Sequence, residues 1–253
     1  MTWSFRAKPG NLLSAGSATT VRKSRPSYHY AMRALRLVLL PLLLAGITAA
    51  QEPVAFPAPD GYQLHADQYG KAERAVVLVH GGRFTRKDWA KQAQTFANAG
   101  FRVLAIDFRG YGQSQAGSQT VDGLHYPDVL TAVRYLHSTG AHTVSIVGGS
   151  MGGDAAGDAS AESKPGEIDR IVLLGSEGGD TPERMKGRKL FIVTRDDQSG
   201  DGPRLPGIRK QYEKTPEPKQ LVILEGSAHA QFIFNTEQGP RLMQELLKFL
   251  SQP

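Results

Sequence analysis

The chain has 253 residues, 40% of them hydrophobic, which fits one domain with a substantial core and excludes a largely disordered polypeptide. Of its 30 basic side chains, seven (Arg6, Lys8, Arg22, Lys23, Arg25, Arg33 and Arg36) lie in residues 1–50, which hold no Asp or Glu; 23 basic then face 24 acidic side chains in the rest, and the net charge of +6 gives no reason to expect a nucleic-acid partner. There is no cysteine, so disulfides, thiolate metal sites, a cysteine nucleophile and lipid attachment at a signal-peptide cysteine are all excluded.

In chain order, the first feature is a short basic segment, Met32-Arg33-Ala34-Leu35-Arg36, followed by an apolar run from Leu37 to Ala50 that is broken only by Pro41, Gly46 and Thr48. Small residues Thr48-Ala49-Ala50 close it. This is the layout of a secretory signal peptide, shorter than the roughly 20 residues of a membrane span. The reading is export to the periplasm or outside, with cleavage after Ala50 and no stable membrane span thereafter; the alternative is an uncleaved membrane anchor. Residues 1–50 are thus an extension and signal peptide, and 51–253 the functional domain.

A Pro-rich connector (Pro53, Pro57, Pro59) follows. Short apolar runs then alternate with helix-like stretches, the signature of a parallel sheet with crossover helices. Ala75 to Val79 is the first strand candidate, and it runs into His80-Gly81-Gly82-Arg83-Phe84. Arg102 to Ile106 is the second, followed by Asp107-Phe108-Arg109-Gly110-Tyr111-Gly112-Gln113-Ser114. From Asp128 to His137, Val129, Leu130, Val133 and Leu136 share one helical face and Gly140 supplies a stop. The strand Val144 to Val147 enters Gly148-Gly149-Ser150-Met151-Gly152 and an alanine-rich helical stretch. This matches Gly-x-Ser-x-Gly in the strand-turn-helix setting in which a sharp, strained turn exposes a nucleophilic serine. Such a turn also serves merely to join strand to helix, so the motif weighs most together with its companions.

Ile171 to Leu174 is the next strand, and only Gly175 to Lys189 separate it from the strand Leu190 to Val193, which leads to Thr194-Arg195-Asp196-Asp197. Leu221 to Leu224 precedes Glu225-Gly226-Ser227-Ala228-His229. A last helix begins near Pro240 and carries Leu242, Met243, Leu246, Leu247 and Leu250.

Four ordered motifs, between about residues 60 and 250, resemble the α/β-hydrolase superfamily: the His-Gly-Gly segment, the Asp-x-Arg-Gly-x-Gly-x-Ser turn at Asp107, the serine elbow and the late histidine. The resemblance implies a three-layer α/β fold: a mostly parallel central sheet with helices on both faces. With so short a segment between Leu174 and Leu190, it implies no cap domain and an open site. It further implies Ser150 as nucleophile, His229 as general base and Asp197, favoured over Asp196, as the acid that orients the histidine, with Glu177 or Asp180 as substitutes. The backbone N–H groups of Gly82 and Met151 would form the oxyanion hole. His80 is read as structural and Asp107 as a turn residue. Arg83 and Arg195 could bring positive charge near the triad and favour acidic substrates, although exposed arginines near a loop more often stay solvated. The implied activity is that of a serine hydrolase acting on a small-molecule acyl substrate, most simply a carboxylesterase, with no metal or organic cofactor; peptidase, thioesterase and acyltransferase are variants on the same machinery. A catalytically silent binding protein is the alternative class. Nothing in the sequence specifies an oligomeric state.

Overall fold

A computed structural model describes residues 50–114 and 124–252 of the chain. The leader before residue 50, with the predicted signal peptide, lies outside the described residues. The six predicted strands form one parallel set, β3 (Arg74–Val79), β4 (Arg102–Ile106), β5 (Thr143–Gly149), β6 (Arg170–Leu174), β7 (Arg188–Thr194) and, after two short strands, β10 (Lys219–Leu224). Before them come β1 (Gln51–Pro57) and β2 (Gln63–Tyr69). One eight-stranded sheet results, in the order β1-β2-β4-β3-β5-β6-β7-β10, antiparallel through β1, β2 and β4 and parallel beyond.

Pro53 and Pro57 of the Pro-rich segment therefore lie in a strand and not in a connector, and only Pro59 falls in the turn that follows. Proline cannot donate to a ladder, but β1 stands at the sheet edge, where one row of N–H groups faces no partner strand. In β2 the polar residues Gln63, His65, Asp67 and Gln68 hide the strand pattern; Asp67 is buried because Arg86 pairs with it at 3.1 Å.

The parallel strands are buried on both faces, as their continuous Val, Ile and Leu runs require. Alternate residues feed two cores. Val77, Val79, Ile146, Ile171, Leu173 and Phe191 pack with side chains of α2 (Tyr126–Ser138), α3 (Met151–Glu162) and α4 (Arg204–Lys214). Val76, Leu78, Val147, Val172, Leu174 and Ile192 pack with α1 (Ala90–Asn98) and α5 (Gly239–Ser251). That is three layers. The face of α5 buries Leu242, Leu246, Phe249 and Leu250, each contributing about 1.5–3 kcal/mol. Between β6 and β7 lies only the single turn Pro182–Arg184, so no helical cap is inserted there. A two-strand hairpin, β8 (Gln198–Ser199) with β9 (Gly202–Pro203), follows β7. Among the described residues no helix is long and apolar enough to cross a membrane.

The crossovers place the site. From β3 the chain moves through α1 to β4 on one side, then returns through α2 to β5 on the other, so the loops after β3 and β5 splay apart over the carboxyl ends of neighbouring strands. In open α/β sheets such a switch point is where ligands bind.

Candidate active site

Ser150 follows β5 and precedes α3, with φ 52° and ψ −122°, a strained conformation for a residue with a side chain. The turn closes because its neighbours lack side chains: a Cβ on Gly148 would lie 2.2 Å from the Gly152 carbonyl oxygen, and one on Gly152 would lie 2.5 Å from the Val79 oxygen. The Ser150 N–H donates to the Leu174 carbonyl at 2.9 Å, tying the turn to β6. The hydroxyl therefore stands over the end of the sheet.

His229, in the loop after β10, brings Nε2 to 2.8 Å from Ser150 Oγ, and its Nδ1 lies 2.8 Å from Asp197 Oδ2. Asp197 is fully buried, while the His229 side chain is 24% exposed, so the line of contacts runs from interior to surface. Since a carboxylate accepts only, Nδ1 carries the proton and Nε2 is free to accept the Ser150 hydroxyl. Asp196 is exposed and meets Gly226 only through its backbone N–H. Glu177 is exposed beside α4, and the Asp180 backbone N–H donates to Asp158; neither approaches His229. Ala230, directly after His229, is with Ser150 one of two non-glycine residues with positive φ among the described residues, at 48°, so strained backbone flanks the serine–histidine contact on both sides.

Met151 opens α3, and its N–H has no intrahelical acceptor because it belongs to the first turn. The Gly81 N–H is occupied, donating to Gln231 Oε1 at 2.7 Å, whereas the Gly82 N–H meets no acceptor among the described residues. Gln231 is buried and also packs on Gly149, so one side chain spaces the β3 loop from the serine turn. Gly82, Met151 and Ser150 border the same cavity, of about 510 Å3.

His80 is wholly buried and serves the frame. Its Nε2 accepts the Phe108 N–H at 3.2 Å, which leaves Nδ1–H to donate to the Gly81 carbonyl at 2.9 Å. Burial pushes its pKa below the ordinary value, so the ring is neutral at pH 7. Asp107 accepts N–H groups of Arg86 and Gln113, as a turn residue does, and is not near His229. Arg195 lies on the outer surface paired with Glu225 at 2.8 Å and does not reach the cavity; Arg83 does. Sequence reasoning missed Gln231, the hairpin that walls the cavity with Gln198 and Ser199, and Arg204, whose Nε sits 3.6 Å from Asp197 Oδ1. Among the described residues no group of His, Asp and Glu side chains is placed to hold a metal ion.

A sequence model of the alpha/beta hydrolase fold matches residues 74–232. A 2-hydroxy-6-oxononadienedioate/2-hydroxy-6-oxononatrienedioate hydrolase of Burkholderia vietnamiensis is 35% identical over 129 residues, 47% of this chain and 43% of that protein. A non-heme haloperoxidase of Rhodococcus erythropolis is 31% identical over 190 residues, 72% of this chain and 58% of its relative. The alignments span about half the length of these curated relatives. A solved esterase of Pyrococcus furiosus shares the fold with a TM-score of 0.68 at 17% identity, over 80% of this chain and 90% of that one. With the match running from β3 past His229, over more than half of its length, the chain belongs to the alpha/beta hydrolase fold family.

Proposed function

We propose that the protein is a serine hydrolase that cleaves an ester-type bond through an acyl-enzyme on Ser150. The observation that carries this reading is the pair of 2.8 Å contacts linking Ser150 Oγ, His229 and buried Asp197 at the wall of an open cavity. An esterase among the structures of this fold and hydrolases among the relatives support it.

In the proposed reaction Ser150 Oγ attacks the ester carbonyl while His229 Nε2 takes the hydroxyl proton. Asp197 holds the proton on Nδ1 and stabilises the imidazolium. The carbonyl oxygen becomes negative as the tetrahedral intermediate forms, and it accepts the N–H groups of Gly82 and Met151; losing one such donor costs about 2.7–4 kcal/mol of barrier. Nε2–H then protonates the departing alcohol, leaving acyl-Ser150. Water repeats the steps, giving its proton to Nε2, which returns it to Oγ as the acid leaves.

The test is 4-nitrophenyl acetate followed by mass analysis. Nitrophenolate release with an acetyl group on the peptide carrying Ser150, both absent in Ser150→Ala, is the expected result. Undiminished release by Ser150→Ala would overturn the assignment.

A further inference from the structure

None of the side chains lining the cavity beside Ser150 is acidic, and two are arginines, Arg83 and Arg204. The fold neutralises other arginines nearby: Arg86 pairs with Asp67 and Asp107, Arg109 with Asp60 and Asp128, and Arg195 with Glu225 on the outer surface. Arg83 is exposed on the loop that carries Gly82 and has no ion-pair partner among the described residues. Arg204 is anchored twice to the segment bearing Asp197, by its backbone N–H to the Asp197 carbonyl at 2.9 Å and by Nε at 3.6 Å from Oδ1. Its side chain is 35% exposed, and no hydrogen bond is made by its two terminal amino groups among the described residues. Against these two arginines stands the single carboxylate of Asp197, so arginine side chains outnumber acidic ones at the site by one.

The same cavity also carries an apolar surface. The rings of Phe84 and Phe232 meet at 4.9 Å between centroids, and Phe232 is 41% exposed, a large aromatic side chain left in contact with solvent at the cavity wall. A volume of about 510 Å3 suits a small organic ester.

Resting on the hydrolase reading above, we infer that the preferred substrate is an anionic ester, one whose apolar chain lies on Phe84 and Phe232 and whose terminal carboxylate is held by Arg83 and Arg204. Arginine is suited to this because its planar donors match a carboxylate and stay charged at every working pH. The competing role for Arg204, to neutralise Asp197 alone, affects neutral and anionic esters alike.

The test compares esters matched in length on the full chain by pH-stat. Monomethyl adipate against methyl hexanoate carries the carboxylate on the acyl side, and 6-acetoxyhexanoate against hexyl acetate carries it on the alcohol side. In at least one pair the anionic ester has the higher kcat/KM by about tenfold, the effect of a charge-assisted contact that is partly solvated. Arg83→Gln and Arg204→Gln each lower that ratio severalfold, chiefly through KM, and added salt lowers the anionic rate alone. Using the ratio cancels any general loss caused by disturbing Asp197, and Arg83→Gln touches none of the Ser150, His229 and Asp197 contacts. Equal rates within both pairs, or ratios unmoved by both substitutions, would overturn the inference while turnover of the neutral esters left the hydrolase reading intact. Failure of all four esters together with no covalent labelling of Ser150 would overturn both.

Discussion

Replacing Asp197 by Asn tests the inner end of the relay with little change in shape. The carboxylate is fully buried and accepts the Nδ1 proton of His229 at 2.8 Å. An amide there can donate to Nδ1 instead, which moves the imidazole proton to Nε2 and leaves Ser150 Oγ without an acceptor. In a Ser-His-Asp arrangement the wrong tautomer costs on the order of 10,000-fold in kcat, about 5 kcal/mol of barrier. Folding is affected far less, because the ion pair given up is the loose 3.6 Å contact with half-buried Arg204, a type contributing about 0–1 kcal/mol. Tm then falls by at most about 2–4 °C. Asp196→Asn is the matched control, since that side chain is exposed, and its kcat should stay within about twofold, as for surface changes in general. Steady-state hydrolysis of 4-nitrophenyl acetate and thermal melts on all three proteins decide the matter. A loss of less than tenfold in Asp197→Asn, or a large loss in Asp196→Asn, refutes the assignment of the acid.

Gln231→Leu leaves the buried Gly81 N–H without an acceptor, so stability in urea should fall by about 1–3 kcal/mol, and kcat by roughly tenfold as the loop bearing Gly82 loses its spacer; unchanged kcat would mean the loop is positioned otherwise. Gly152→Ala drives a methyl group to 2.5 Å from the Val79 oxygen and 2.7 Å from that of His80, both backbone, and should cost about 3 kcal/mol or prevent folding; a native urea midpoint contradicts this. His80 titrates below its ordinary value of 6.5 because burial disfavours the cation. The unfolded chain then takes up that proton first as pH falls, so the contribution is complete above about pH 6.5 and is lost progressively below it. Urea midpoints at pH 7.5 and 5 should differ less in His80→Asn than in the parent, His125 retaining part of the slope by the same physics, and an identical slope removes His80 from the account.

What could be read from the sequence divides along a physical line. Strands buried on both faces, such as Arg102–Ile106 and Arg170–Leu174, announce themselves by uninterrupted apolar residues, and the serine turn by glycines whose side chains have no room. Strands at the antiparallel edge do not: Pro53 and Pro57 look like a linker until one row of N–H groups is known to face no neighbour, and Asp67 looks solvated until Arg86 meets it. The same limit applies to the site. Ser150 and His229 sit in local motifs, but Gln231 reaches Gly81 across 150 residues of sequence, and Arg204 is drawn to Asp197 by a hairpin with no apolar signature. Arg195 and Arg83 look alike in sequence, and only the position of Glu225 separates a paired surface residue from one at the cavity.

The central claim is that Ser150 is an activated nucleophile, and a fluorophosphonate probe reads it most directly. Such a probe reacts with a serine whose proton a neighbouring base removes and which an oxyanion hole serves, and with few others. The account expects one label per folded chain on the peptide bearing Ser150, lost in Ser150→Ala and strongly slowed in His229→Ala. A folded protein that takes no label, or that labels equally well in Ser150→Ala, would contradict it.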